Sequence, residues 1–431
     1  MDRLAKDTSA NRLCDGSAGS SRPGDEHRKT TNNDQPMTYS KNIARLQPSA
    51  TVTVSTLARK LRAEGRDIIN LSAGEPDFDT PEGIAEAGIA GIRQGRTRYT
   101  PAAGLPELRA AAAEYMTAGT AYTADPARVV VSAGAKQSLF NACFCLFGPG
   151  DEVLIGSPYW TSYPEMVTLA RAEPVPVAGS ESREFMLTPD DLEAAATERS
   201  RGLILSTPSN PTGGVYSKAA LGAIADWARS RGVTLISDEI YQEIYYGEGA
   251  KAPGALDLDP DAVGDLVVTN GMSKAFAMTG WRVGFSYTTA ELAAKMSALQ
   301  SHVSLNAATP SQVAALEGLT RGEEGARDRA VMLAAFRRRR DLVTRLFDEL
   351  LPGCFYVRPE GAFYLYFRVD GAFDGNVTCA GDVCTRILEE VGVAIVPGEA
   401  FGDPRFARMS TASSDEDIEE GVRRMARVLG G

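Results

Sequence analysis

Six short apolar runs recur between residues 128 and 287, at 128–132, 152–155, 203–207, 233–237, 266–270 and 284–287. Most lack the polar alternation of a strand with one wet face, so they read as strands covered on both faces. Helical spacing fills several of the gaps, for example 136–146 and 218–231. Such alternation predicts an α/β domain on a mainly parallel sheet flanked by helices. Open α/β sheets bind ligands beyond the carboxyl ends of their strands, so chemistry is expected there.

A chain of 431 residues exceeds one small core, and two domains are expected. Residues 1–40 carry almost no large apolar side chains and predict a disordered tail. Met37 lies just before the structured pattern begins and is a candidate natural start. Helical spacing at 51–63 and a short strand at 68–71 follow, in a segment, 41–75, expected to join a small domain. Residues 76–316 read as the large domain. From about 317 the pattern turns to long helices and a strand at 361–367, which predicts a smaller α+β domain over 317–431.

The net charge of −11 argues against nucleic acid or an anionic membrane as partner. The run Arg337, Arg338, Arg339, Arg340 is expected to be a solvated helix face. The six cysteines form no CxxC pair and there are two histidines, so no metal site is expected and a reducing cytoplasm suits the pattern. No stretch approaches the roughly 18 apolar residues of a membrane span, and the start lacks a signal peptide's apolar core.

The chemistry concentrates near Lys274, which follows Ser273 and precedes Arg282 by eight residues, with Gly280 and Gly284 in the same run. An amine beside a hydroxyl and a guanidinium fits a cofactor that has an aldehyde for the lysine and a phosphate for Ser273 and Arg282. A lone Ser-Lys pair in a glycine-containing turn would more readily be a surface lysine. Asp238 ends the run 233–237 and suits a pyridine nitrogen, with Tyr241 three residues on. A strand-end aspartate also serves as a helix N-cap. Asn210 lies in a Pro- and Gly-rich loop and offers an amide to a phenolic oxygen. Gly134, Ala135 and Lys136 open a helix whose bare amides favour a phosphate. Trp160 is either a ring-stacking platform or a core aromatic.

In this order the segments strongly resemble the class I, fold-type I, pyridoxal-phosphate-dependent aminotransferases, closest to the aspartate aminotransferase subgroup Ib, which includes prephenate-accepting enzymes. The segments are 72–81 (SAGEPDFDTP), 98–104 (RYTPAAG), 134–140 (GAKQSLF), 157–166 (SPYWTSYPEM), 208–213 (PSNPTG), 237–241 (SDEIY), 273–284 (SKAFAMTGWRVG) and 361–364 (GAFY). The resemblance runs from about residue 46 to the C-terminus. It implies the fold-type I architecture and pyridoxal 5'-phosphate as cofactor. Lys274 would hold the cofactor covalently and then move the proton as base and acid. Asp238 would meet the pyridine nitrogen, Tyr241 and Asn210 the phenolic oxygen, and Trp160 the ring face. Ser273, Arg282 and the amides of Gly134, Ala135 and Lys136 would hold the phosphate. Tyr99 would reach the phosphate of a neighbouring subunit in a homodimer with shared sites. Arg408 would bind the substrate α-carboxylate, with Gly74 nearby and Trp160 and Asn210 lining the substrate site.

The Lys136 side chain matches a lysine that helps bind a distal carboxylate, which favours aspartate or glutamate. Residues 300–307 (QSHVSLNA) are bulkier and less polar than usual in the subgroup, at a stretch that borders the partner's site in relatives. Gln47 stands where prephenate-active relatives often carry lysine, and Thr411 replaces a common tyrosine. The expected activity is amino transfer from L-aspartate to 2-oxoglutarate through a pyridoxamine form of the cofactor. Alternatives are elimination, cyclisation or oxidation of another amino acid on the same scaffold, or transamination of prephenate or aromatic substrates.

Overall fold

A computed structural model describes residues 38–46 and 48–430. Gln47, Met37 and nearly all of the proposed tail lie outside the described residues. After a two-residue strand, β1 (Ile69–Asn70), the chain builds β2 (Val129–Ser132), β3 (Glu152–Ser157), β4 (Glu173–Ala178), β5 (Ser200–Ser206), β6 (Thr234–Asp238), β7 (Leu266–Gly271) and β8 (Gly284–Tyr287). These last seven form one sheet in the order β2-β8-β7-β6-β5-β3-β4. Strand β8 runs antiparallel to β2 and β7, and the remaining pairs are parallel. Every residue of β2, β6, β7 and β8 is buried, as apolar runs without alternation require.

Strand β4 escaped the sequence reading. Pro174 and Pro176 remove two backbone donors, which a strand tolerates at a sheet edge, and β4 pairs only with β3. The helices Ala135–Leu146 and Lys218–Arg231 begin and end close to their expected limits. In the second, the Ser217 hydroxyl accepts from the Ala220 N–H and Gly232 ends the helix at φ 64°.

A second sheet follows the 29-residue helix Gly322–Leu350. Its strands are drawn from β9 (Tyr356–Val357), β10 (Tyr364–Arg368), β11 (Val393–Ala394), β12 (Val396–Pro397) and β13 (Phe406–Ser410). The order β12-β13-β10-β9 is antiparallel throughout, while β11 pairs in parallel with β1. Ile69 and Leu71 share a core with Val343, Phe347, Leu365 and Ile418, so the segment near 70 packs with this second sheet.

The strand expected at 361–367 begins only at Tyr364. Gly361 forms an isolated bridge with Tyr245, and Ala362 turns to φ 57°. The arginine run also departs from expectation. Arg337 and Arg338 are exposed, but Arg339 is buried and forks onto both oxygens of Asp77 at 2.7 and 2.8 Å. That pair ties the long helix to the segment that follows residue 75. Among the described residues no helix is long and apolar enough to cross a membrane, and no acidic, His or Cys cluster could hold a metal.

Candidate active site

The ends of β5, β6 and β7 and the second sheet enclose one cavity of about 470 Å³. Asp238, the last residue of β6, is 3% exposed and lines it. Its Oδ2 accepts the Tyr163 hydroxyl at 2.7 Å, and its Oδ1 faces the Ile240 N–H at 3.3 Å and the Thr269 hydroxyl at 3.4 Å. Burial pushes its pKa up, while these donors and nearby Lys274 pull it back toward the ionised form. No helix begins at Asp238, which removes the N-cap reading.

Lys274 lies three residues beyond β7. Its Nζ donates to the Gly74 carbonyl oxygen and sits 5.6 Å from the centre of the Tyr241 ring. Burial lowers its pKa to about 8, with Arg408 and Arg282 acting in the same sense and Glu75 and Asp238 opposing. An amine so placed gives up its proton far more readily than a free lysine, as a proton-transfer group requires.

The opposite wall is an anion cradle. Gly134, at φ 87°, opens the helix Ala135–Leu146, whose first amides have no intrahelical acceptor. Arg282, itself at φ 55°, closes the cradle through bonds to the Thr279 and Ala133 carbonyls at 2.8 and 3.4 Å. A Cβ on Gly134 would lie 2.6 Å from the Arg282 guanidinium, so the arginine fills the space that glycine leaves. Ser273 lines the same cavity. The Lys136 ammonium lies 4.7 Å from the Trp160 ring centre, and burial followed by Arg282 lowers its pKa.

Arg408 comes from the middle of β13, opposite Tyr366 and Val396, and is 1% exposed. It donates to Asn210 Oδ1 at 2.9 Å and to the Ser72 carbonyl at 3.0 Å, while its buried Nε has no partner among the described residues. Among the described residues no carboxylate pairs with it. A buried cation without a counter-charge is costly unless an anion is to be bound. Asn210 thus turns its carbonyl to Arg408 and leaves its amide hydrogens for another acceptor.

Of the residues singled out from the sequence, Gly74, Ala135, Lys136, Trp160, Asn210, Asp238, Tyr241, Ser273, Lys274, Arg282 and Arg408 line this cavity, and Gly134 packs behind it. Tyr99 does not; it is 86% exposed. Residues 300–307 are also absent from the lining. There Gln300 is buried, bonded to the Ala102 and Val131 carbonyls, while Val303 is exposed. Sequence reasoning missed Tyr163 and Tyr364. Both fall inside the quoted segments, yet each reads as an ordinary buried aromatic until its hydroxyl is seen to meet Asp238 or Tyr241.

A lysine with lowered pKa, a buried carboxylate held by donors and a glycine-arginine cradle together fit pyridoxal phosphate. Fold and site define a pyridoxal-phosphate-dependent transaminase, and the chain belongs to the aminotransferase class I and II family, whose pattern matches residues 66–425. It is 38% identical over 396 residues to an aspartate aminotransferase of Geobacillus stearothermophilus, covering 91% of this chain and 99% of that one. It is 41% identical over 398 residues to an aspartate/prephenate aminotransferase of Cereibacter sphaeroides, covering 90% and 98%. The solved aspartate aminotransferase of Thermus thermophilus with maleate superimposes with a TM-score of 0.85 at 39% identity, over 91% of this chain and 100% of that one.

Proposed function

We propose that the protein transfers the amino group of L-aspartate to 2-oxoglutarate with pyridoxal phosphate as cofactor. The observation that carries this reading is the buried Arg408 guanidinium, unpaired by any carboxylate among the described residues, on the same cavity as Lys274 and a second cation, Lys136. A planar fork suits an α-carboxylate, and Lys136 suits the distal one. The names of the relatives, aspartate and aspartate/prephenate aminotransferases, support the same substrate class.

When bound, the cofactor supplies an electron sink for the substrate's α-carbon. Lys274 would anchor it and carry the proton to and from that carbon. Asp238 would keep the pyridine nitrogen protonated, and Tyr241 and the Asn210 amide would bind the phenolic oxygen. Trp160 would cover the ring. Ser273, Arg282 and the amides of Gly134, Ala135 and Lys136 would hold the phosphate. Gly74 borders the α-carboxylate. The exposed Tyr99 serves the phosphate of a second subunit in a homodimer with shared sites.

A panel of amino donors and keto acids, followed by mass spectrometry of the products, tests the reading. Aspartate and glutamate should be the preferred donors, with oxaloacetate and 2-oxoglutarate as products. Turnover confined to monocarboxylic donors, or ammonia release without a keto-acid acceptor, would sink it.

A further inference from the structure

Tyr364 has no part in the roles above, yet it stands between the two ends of the cavity. Its hydroxyl lies 2.7 Å from that of Tyr241, and both side chains are buried. The Arg408 guanidinium lies 4.3 Å from the centre of the Tyr364 ring. The charged groups facing the pair are Arg408 from β13, Asp238 at the end of β6 and Lys274 beyond β7. Each phenol carries one proton, and the 2.7 Å contact uses one of the two. If Tyr241 donated into the contact, it would have no proton left for an acceptor in the cavity. Only the opposite direction leaves Tyr241 a donor.

We propose that Tyr364 is a positioning residue whose O–H donates to Tyr241 Oη and so turns the Tyr241 proton toward the cofactor's phenolic oxygen. The Arg408 guanidinium against the Tyr364 ring favours this direction, because a nearby cation makes a phenol the better donor. A residue of the second sheet thereby links the carboxylate-binding arginine to the cofactor's electronics. The inference rests on the reading that Tyr241 meets the phenolic oxygen, and the controls separate the two.

The test is a pH titration of the holoenzyme's cofactor absorbance in Tyr364→Phe, Tyr241→Phe and the double variant, with kcat and KM for aspartate. A hydrogen bond to an anionic oxygen favours its deprotonated form, so weakening that bond raises the apparent pKa. Tyr241→Phe should raise it by more than about one pH unit, and Tyr364→Phe by about half a unit. The double variant should match Tyr241→Phe alone, because Tyr364 acts through Tyr241. In Tyr364→Phe, kcat should fall about 3- to 10-fold with KM within about twofold.

Phenylalanine keeps the ring contacts to Tyr241 and Phe363, at 5.7 and 4.9 Å between centres, so a packing role alone predicts the wild-type titration and overturns the proposal. If Tyr241→Phe also leaves the titration unmoved, the assignment of Tyr241 fails with it. If Tyr364→Phe does not retain cofactor, Tyr364→His decides. Retention by histidine, which keeps a donor, supports the proposal; loss in both variants makes Tyr364 a packing residue and ends it.

Discussion

Asp238 and Lys274 leave the seven-stranded sheet at or just beyond the ends of β6 and β7, whereas Arg408 and Tyr364 stand within strands of the four-stranded sheet. The first pair needs further contacts to be held still. Tyr163 and Thr269 grip Asp238, and the Gly74 carbonyl grips Lys274. Arg408 and Tyr364 start from backbone held inside the ladder, through the register Tyr364↔Ser410 and Tyr366↔Arg408, and their side chains are then oriented by Asn210, Ser72 and Tyr241. Groups at or just past a strand's end are free to be tuned for proton chemistry, and groups within strands give a rigid seat for recognition. The large sheet should therefore govern kcat and Arg408 of the small one KM, while Tyr364 reaches kcat only through the Tyr241 hydroxyl.

The sharpest way to break this division is Lys274→Ala. Loss of the proton-transferring amine should lower aspartate-dependent oxaloacetate formation on the order of 10⁴-fold. The melting temperature of the cofactor-free protein should stay within a few degrees of wild type, because a buried amine with a lowered pKa contributes little to stability. Steady-state assay beside thermal unfolding checks both; a variant that keeps a tenth of wild-type turnover removes the large sheet from the chemistry.

Arg408→Lys addresses the other side. Lysine keeps the charge but loses the fork that bonds Asn210 and Ser72 while presenting Nε. KM for aspartate should rise about 30- to 100-fold, with kcat lowered less than about 10-fold. The reverse pattern, an unchanged KM with kcat collapsed, would place Arg408 in the chemistry and dissolve the contrast between the sheets.

The large sheet was legible in the sequence because its strands are buried on both faces and declare themselves as unbroken apolar runs. Its edge strand β4 was not, since Pro174 and Pro176 speak against a ladder that only one neighbour requires. The small sheet is less legible. Its strands are short, and the turn at Ala362 interrupts what composition shows as a continuous run. Within the site, residues whose chemistry is rare in a core, such as Lys274, Asp238 and Arg408, stood out. Tyr163 and Tyr364 did not, because a phenol buries as comfortably as any aromatic and only its partner reveals a role. Arg339 illustrates the converse. A run of four arginines reads as solvated, yet the bidentate seat on Asp77 that takes one of them inside exists only once distant segments meet.

The smallest effect concerns a backbone group rather than a side chain, Gly134 in the bend between β2 and the helix Ala135–Leu146. With φ at 87° and ψ at 161°, that residue sits where side chains are poorly tolerated, at a cost of about 1–3 kcal/mol. Gly134→Ala would also set a methyl 2.6 Å from the Arg282 guanidinium and press it out of the cradle. Affinity for pyridoxal phosphate, measured by titrating the cofactor-free protein, should weaken about 10-fold, while kcat at saturating cofactor stays within about twofold of wild type, since no proton-transferring group moves. Gly232→Ala is the matched control. It shares a positive φ, 64°, but nothing among the described residues lies within 4 Å of its added Cβ, and it ends a helix that does not line the cavity. It should cost about 1 kcal/mol of stability and leave cofactor affinity unchanged. Equal loss of affinity in both variants would mean that backbone strain anywhere in the large sheet loosens the site, and the cradle would have no separate part in holding the phosphate.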